Sequence, residues 1–344
     1  MRAGRSVRAV GAVALLALVV SACDTSTTSG GPTASTPTTT LPIITGVTGS
    51  ATGGAFATLG AVERVDVLPV RHSRIAPRLL DDKTMGYRSL RIAFRSFGSG
   101  PDLLLITGEH GSLTSWDPQL LLELASYYRV TVFDLPGIGY SAPNAQGETV
   151  PALADLTAGL IWSLGLSQPT VLGWGFGGEI AISLVERHPG LVWRLVLADA
   201  TPGGPESHRP GAAVANMLAL PFETTVELSR LFFPSGAESA RVSWLADVAQ
   251  IDPDDITAPA ITQQGVLVAR SYRSDTVARG LGDIGIPTLI FSGSDDEVVP
   301  VANSRDLARR IAHSRLIIFS GAGYASIFQY ASDFVTELTS FTSA

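Results

Sequence analysis

Gly173-Trp174-Gly175-Phe176-Gly177-Gly178 follows the apolar run Thr170-Val171-Leu172 and opens Gly177–Arg187, which carries a helical pattern. Glycines at alternate positions mark a strand-to-helix turn tight enough to need backbone conformations that residues with a Cβ avoid. The same alternation of buried strand and helix extends to both sides of this turn. Asp102–Thr107, Arg129–Phe133, Arg194–Ala198, Pro287–Phe291 and Arg315–Phe319 read as further strands, each a nearly continuous apolar run. Helices fit Asp117–Ser126, Leu153–Leu164, Ser304–Ile311 and Ser332–Thr342. Strands of this kind, separated by helices, predict an α/β fold with a mostly parallel sheet covered on both faces. Tyr87–Phe97 alternates more weakly and reads as an early antiparallel edge strand. Trp116, Trp162, Trp174 and Trp193 read as core packing.

Between Pro202 and Gly285 the pattern changes to helical stretches such as Ala212–Leu220 and Ser239–Ile251, punctuated by Pro, Gly and acidic residues. An insertion of this length between two strands predicts a helical cap. The expected organisation is a core from 61 to 201, a cap from 202 to 285 and a second part of the core from 286 to 344. Ligands of such folds bind outside the carboxyl ends of the strands, here beneath the cap.

Four segments, in order, resemble the α/β-hydrolase superfamily over roughly residues 85–344. Asp134-Leu135-Pro136-Gly137-Ile138-Gly139-Tyr140-Ser141 resembles its D-x-P-G-x-G-x-S turn, and Gly173–Gly178 its nucleophile elbow. Gly293-Ser294-Asp295-Asp296 with Val298-Val299-Pro300 resembles the acid loop, and Gly321-Ala322-Gly323-Tyr324 the G-x-G-H loop that carries the histidine. The resemblance implies a catalytic triad at Gly175, Asp296 and Tyr324, with Asp295 the adjacent alternative for holding the Tyr324 hydroxyl. Two of those positions cannot do the chemistry. Glycine offers no atom for a covalent intermediate. A tyrosine, with an ordinary pKa of about 10, is a poor general base near neutrality. Gly175 also relaxes the backbone strain that a serine would bear. The expected role of Asp296 becomes holding the Tyr324 hydroxyl.

Thr107-Gly108-Glu109-His110-Gly111 matches the superfamily's oxyanion loop, which places the amides of Glu109 and Phe176 as the oxyanion-hole-like pair. A carboxylate beside a developing negative charge is unfavourable unless Glu109 faces solvent. Among the histidines, His110 alone sits where it could activate water. His188 resembles a structural helix end, His313 precedes the last strand on the far side, His72 precedes the core and His208 opens the cap. Trp174 and Phe176 flank the turn, where they would line a pocket for an apolar ligand if one is present.

Arg2, Arg5 and Arg8 precede the short apolar run Gly11–Val20, as in a secretion signal. Val20-Ser21-Ala22-Cys23 resembles a bacterial lipobox, and Cys23 is the only cysteine of the chain. The resemblance implies removal of residues 1–22 and lipidation of Cys23, with the protein held on the extracytoplasmic face of the cell membrane. Residues 23–60, rich in Thr, Ser, Pro and Gly, read as a flexible tether, and their Thr-Pro content also resembles glycosylated stalks. A lone cysteine forms no internal disulfide or cysteine-rich zinc site, so no metal is expected. Nothing in the sequence calls for a cofactor. A net charge of −7 excludes an electrostatic grip on nucleic acid. Three functions follow as expectations: a non-catalytic pseudo-hydrolase that binds a small apolar ligand or an envelope protein, a hydrolase with non-serine chemistry acting on an ester or similar small substrate, and an envelope scaffold.

Overall fold

The computed structural model describes residue 59 and residues 62–67, 90–144, 148–219, 225–249 and 256–344. The predicted signal sequence (1–22), Cys23, the tether apart from Leu59, and His72 lie outside the described residues. Among the described residues, eight strands form one sheet: β1 Glu63–Val67, β2 Leu90–Gly98, β3 Asp102–Ile106, β4 Arg129–Phe133, β5 Thr170–Trp174, β6 Arg194–Ala198, β7 Thr288–Gly293 and β8 Ser314–Phe319. Their order is β1-β2-β4-β3-β5-β6-β7-β8, antiparallel at β1–β2 and β2–β4 and parallel from β4 onward. The expectation that the early antiparallel strand forms the edge is corrected. β1 pairs along the outer side of β2, Glu63 opposite Phe94 and Val67 opposite Leu90. Glu63, Arg64 and Asp66 keep that edge charged, which discourages pairing with another chain.

Successive residues of a strand point to opposite faces, and both faces are covered. Leu104 and Ile106 of β3, with Leu195 and Leu197 of β6, enter one core with helices α2 (Val150–Ser163) and α3 (Phe176–Arg187). Leu103, Leu105, Val196 and Ala198 enter the other, with α1 (Pro118–Ala125) and the last helix. Short polar signals start the helices. Asp117 Oδ1 accepts from the Gln119 and Leu120 amides, with Pro118 in the first turn of α1. Thr149 caps α2 in the same way, with Pro151 following.

Between β6 and β7 the described residues hold no strand but two short 3-10 helices and four α-helices: α4 Ala212–Ala219, α5 Thr225–Phe232, α6 Glu238–Val248 and α7 Ala258–Ser271. The chain closes with α8 Ala302–Arg310, α9 Ser326–Gln329 and α10 Ala331–Ser343. No helix among the described residues is long and apolar enough to cross a membrane. Trp116 and Trp174 are buried, as expected of core residues. Trp162 and Trp193 are not: they are 49% and 44% exposed, because each sits at the rim where an element ends. Trp162 is at the close of α2 and Trp193 in the turn before β6.

Candidate functional site

β5 runs into α3 through Gly175, whose φ of 55° and ψ of −120° is open to glycine and strained for other residues. A Cβ at Gly177 would stand 2.2 Å from the Ile106 carbonyl oxygen, so the helix can lie this close to β3 only without one. The turn is therefore kept by steric demands that do not involve catalysis.

The space above Gly175 is filled. A Cβ on residue 175 would stand 1.8 Å from the Tyr324 hydroxyl oxygen, and one on Gly108 would stand 2.6 Å from it. The phenol oxygen thus lies between the oxyanion-like loop and the elbow, where a nucleophile's side chain would sit. The Tyr324 ring stacks on Trp174 at 4.9 Å, and the Trp174 Nε1–H donates to the Tyr324 carbonyl at 2.9 Å. Phe232 of α5 closes over the pair, 5.3 Å from Tyr324 and 5.7 Å from Trp174. The Ala325 amide also donates to the Phe232 carbonyl at 3.1 Å, which ties the inserted helices to the loop carrying Tyr324. Burial, then the charges of Asp296, Glu109 and Asp199, push the Tyr324 phenol well above its ordinary value, so it stays protonated.

The expected bond between Asp296 and Tyr324 is not formed. Asp296 Oδ1 accepts from the Val298 and Val299 amides, both at 2.8 Å, and its buried Oδ2 has no hydrogen-bond partner. The tight turn after β7 draws one oxygen into its own amides. Asp295, the alternative for holding the Tyr324 hydroxyl, is exposed and accepts from the Ser294 hydroxyl instead.

Asp199 escaped the sequence reading. It follows β6 directly, is fully buried and has a φ of 47°. Its Oδ1 accepts from the Gly293 amide at 3.0 Å and its Oδ2 from the Ser326 hydroxyl at 2.8 Å. Burial pushes it up to about 8, and its proximity helps raise Asp296. The available signal was a carboxylate set immediately after an all-apolar strand.

Glu109 and His110 turn toward α7. His110 Nε2 donates to the Ile261 carbonyl at 3.1 Å and lies 3.5 Å from Glu109 Oε1, and the His110 amide donates to Gln264 Oε1. Burial raises Glu109 to about 7 and lowers His110. Trp174 and Phe176 do not share a pocket wall, because their rings are packed into opposite cores. Phe176 supplies the first amide of α3. A cavity of about 680 Å³ lies on the other face of α7, lined by Glu148, Pro259, Thr262, Val266 and Arg270 among others. His188 binds Asp155 at 2.9 Å and His208 faces Asp306 at 3.3 Å, away from this centre. Among the described residues no cluster of three metal-ligating side chains occurs.

The Alpha/beta hydrolase family matches residues 103–338. The chain belongs to that family. This alpha/beta hydrolase is similar to the pimeloyl-[acyl-carrier protein] methyl ester esterase of Vibrio atlanticus, 29% identical over 259 residues, covering 71% of this chain and 95% of the relative. The esterase of the same name from Chromobacterium violaceum is 29% identical over 260 residues, covering 72% and 97%. An alpha/beta hydrolase fold protein from Chitinophaga pinensis shares the fold at a TM-score of 0.65 and 24% identity, covering 81% of this chain and 99% of that one. The esterase RhEst1 from Rhodococcus sp. ECU1013 does so at 0.64 and 21%, with the same coverage.

Proposed function

We propose that this alpha/beta hydrolase is a cell-envelope protein, held by acyl chains on Cys23, that has given up serine-type ester cleavage and acts by binding. One observation carries the reading: the phenol oxygen of Tyr324 fills the place of the absent nucleophile, and the phenol is protonated. A covalent acyl intermediate has no atom on which to form at Gly175. The packing of Tyr324, Trp174 and Phe232 favours an envelope protein over a small apolar ligand as the partner, since the old site is occupied from within. The test is turnover of short-chain and methyl esters by the purified mature chain, together with labelling by a serine-directed fluorophosphonate. Neither is expected. A labelled serine, blocked by competing ester, would overturn the reading. For the anchor, the mature protein should partition into detergent and lose that behaviour in Cys23→Ser.

The relatives' names support a second reading, hydrolysis of an ester by non-serine chemistry. Glu109, with a carboxyl group near 7 beside His110, is the group placed to take a proton from water. The hydroxide would add to the ester carbonyl against the Glu109 and Phe176 amides, and the alcohol would leave with that proton. Tyr324 would first have to swing out. Turnover by the parent that Glu109→Gln abolishes would favour this second reading.

A further inference from the structure

The two edges of the sheet are built differently. β1 forms one and carries Glu63, Arg64 and Asp66, while Ser314-Arg315-Leu316-Ile317-Ile318-Phe319 of β8 forms the other. β8 holds no proline, glycine or bulge that would break a ladder, and its centre is aliphatic. Its register on β7 is continuous, from Ser314 opposite Thr288 to Phe319 opposite Gly293. Its one charged residue, Arg315, binds Glu337 of α10 at 2.8 Å, which draws the guanidinium over that helix and away from the edge. Leu316 packs toward the core of α8 and Ile317 toward that of α10. With both faces covered in this way, Leu316, Ile317 and Ile318 stay half-buried at the rim.

The hydrogen bonds to β7 show which backbone groups the rim offers. The His313 carbonyl accepts from the Thr288 amide at 2.9 Å, and the Phe319 carbonyl from the Ser294 amide at 3.0 Å. Odd-numbered residues thus turn their backbone groups to β7, and alternation turns those of Ser314, Leu316 and Ile318 outward. Each of these offers one N–H and one C=O. Among the described residues no strand pairs with them.

The spacing of those groups selects the partner, because they lie symmetrically about Leu316. A second β8, antiparallel about a two-fold axis at Leu316, sets Ser314 against the partner's Ile318 and Leu316 against the partner's Leu316. Every outward group of both strands is then used, and neither strand overhangs. Arg315 falls opposite the partner's Ile317, so no like charges are opposed. The pairing also closes the assembly. It consumes both aliphatic edges and leaves a charged β1 at each end. Addition of β8 to the β1 of another copy would leave an open edge and grow without limit.

We infer that β8 is a self-association edge, through which two copies of this chain join antiparallel into one continuous sheet. The strands of the two copies run in opposite directions, so their elbows face opposite ends of the joined sheet.

The test uses the mature chain with Cys23→Ser, which carries no acyl chain and no other cysteine. Sedimentation equilibrium should show monomer and dimer in exchange in the micromolar range. Leu316→Lys sets two ammonium groups across the axis and should weaken the dimer about tenfold or more. Leu316→Cys in the same chain sets two thiols on a hydrogen-bonded pair with Cα atoms about 5.5 Å apart, so mild oxidation should cross-link them. Ser314→Cys separates the thiols by more than ~10 Å along the strands and should not cross-link. A weakened dimer in Leu316→Lys with a native circular dichroism spectrum, and cross-linking confined to position 316, support the inference. If the lysine variant does not fold, the two cysteine variants decide alone. A parent that stays monomeric across the micromolar range overturns the pairing. Fast exchange of its Leu316 and Ile318 amides would then leave the edge to an extended strand of another protein. Species that grow beyond the dimer, or equal cross-linking at 314 and 316, overturn it as well. So does a dimer that cross-links at neither position.

Discussion

At the carboxyl end of the parallel strands Trp116, Trp174, Phe232, Tyr324 and Phe328 fold inward, with neighbouring ring centroids 4.9–6.1 Å apart. At the amino end Tyr127, Trp162 and Trp193 point outward. The residue types are the same and the environments opposite. In the first region the elbow is held by backbone contacts that demand glycine, and the rings of Tyr324 and Trp174 pack against it. In the second, the turns are held by hydrogen bonds and an ion pair, and the rings are left over. The elbow and its glycines persist in this alpha/beta hydrolase while the Tyr324 phenol occupies the space above Gly175.

The largest effect that would test this contrast lies in the filled end. Trp174→Ala removes the ring on which Tyr324 and Phe328 pack and strands the partner of its Nε1–H, so a loss of about 3–5 kcal/mol is expected. A urea midpoint shift corresponding to less than about 1 kcal/mol would mean that the ring cluster is not a unit.

Next in size is the cycle between positions 175 and 324. Gly175→Ser alone meets the phenol oxygen and adopts a positive φ, which should destabilise by about 3 kcal/mol. Tyr324→His in the same chain removes the clash, and the double variant should recover most of the loss. Asp296 Oδ2, buried without a partner, is then available to an imidazole N–H, and ester hydrolysis above the parent's level is expected. Additive single effects would contradict the close approach of the two residues.

How far the sequence leads depends on whether a feature is local. The elbow, the strands from Asp102 onward and the loop order were legible because glycine spacing and apolar runs are local signals. The placement of Tyr324 over Gly175 was not, for it depends on the strand order that brings two segments separated by nearly half the chain together. Asp296 matches the family's acid by spacing, yet its amide bonds follow from a turn geometry that composition does not encode. Trp162 and Trp193 misled for the same reason. Aromatic identity says how much a ring gains by burial and leaves open whether the topology provides a place. Asp199 was hidden by its neighbours, an ionisable residue at the end of a run that reads as pure core.

The polar groups beneath the filled end give a smaller, pH-dependent effect. Glu179, in the first turn of α3, is buried with Oε2 unpartnered, and burial raises it from 4.5 to about 7. The folded state therefore holds a proton that the unfolded chain releases near 4.5. Its contribution to stability is full below about pH 4.5, falls as pH rises toward 7 and is constant beyond. Asp199 and Glu186, raised to about 8, extend the same downward slope. Glu179→Gln should flatten the decline in urea stability between pH 4.5 and 8 by on the order of 2 kcal/mol. An unchanged slope would show that this carboxyl group is charged in the folded protein.

The smallest effect is the sharpest control on the contrast between the two ends. Trp162 closes α2 with half its surface in solvent, and its carbonyl, not its ring, accepts from the Gly165 amide at 3.2 Å. Truncation to alanine leaves that backbone bond intact, opens no internal cavity and improves helix propensity slightly. Trp162→Ala should therefore change stability by no more than about 0.5 kcal/mol, against several for the same substitution at Trp174. The two variants, measured by urea unfolding under one set of conditions, remove the same side chain from the two ends of one sheet. A large loss at Trp162 would mean that its ring covers core surface, and the amino end would then be packed on the same principle as the carboxyl end.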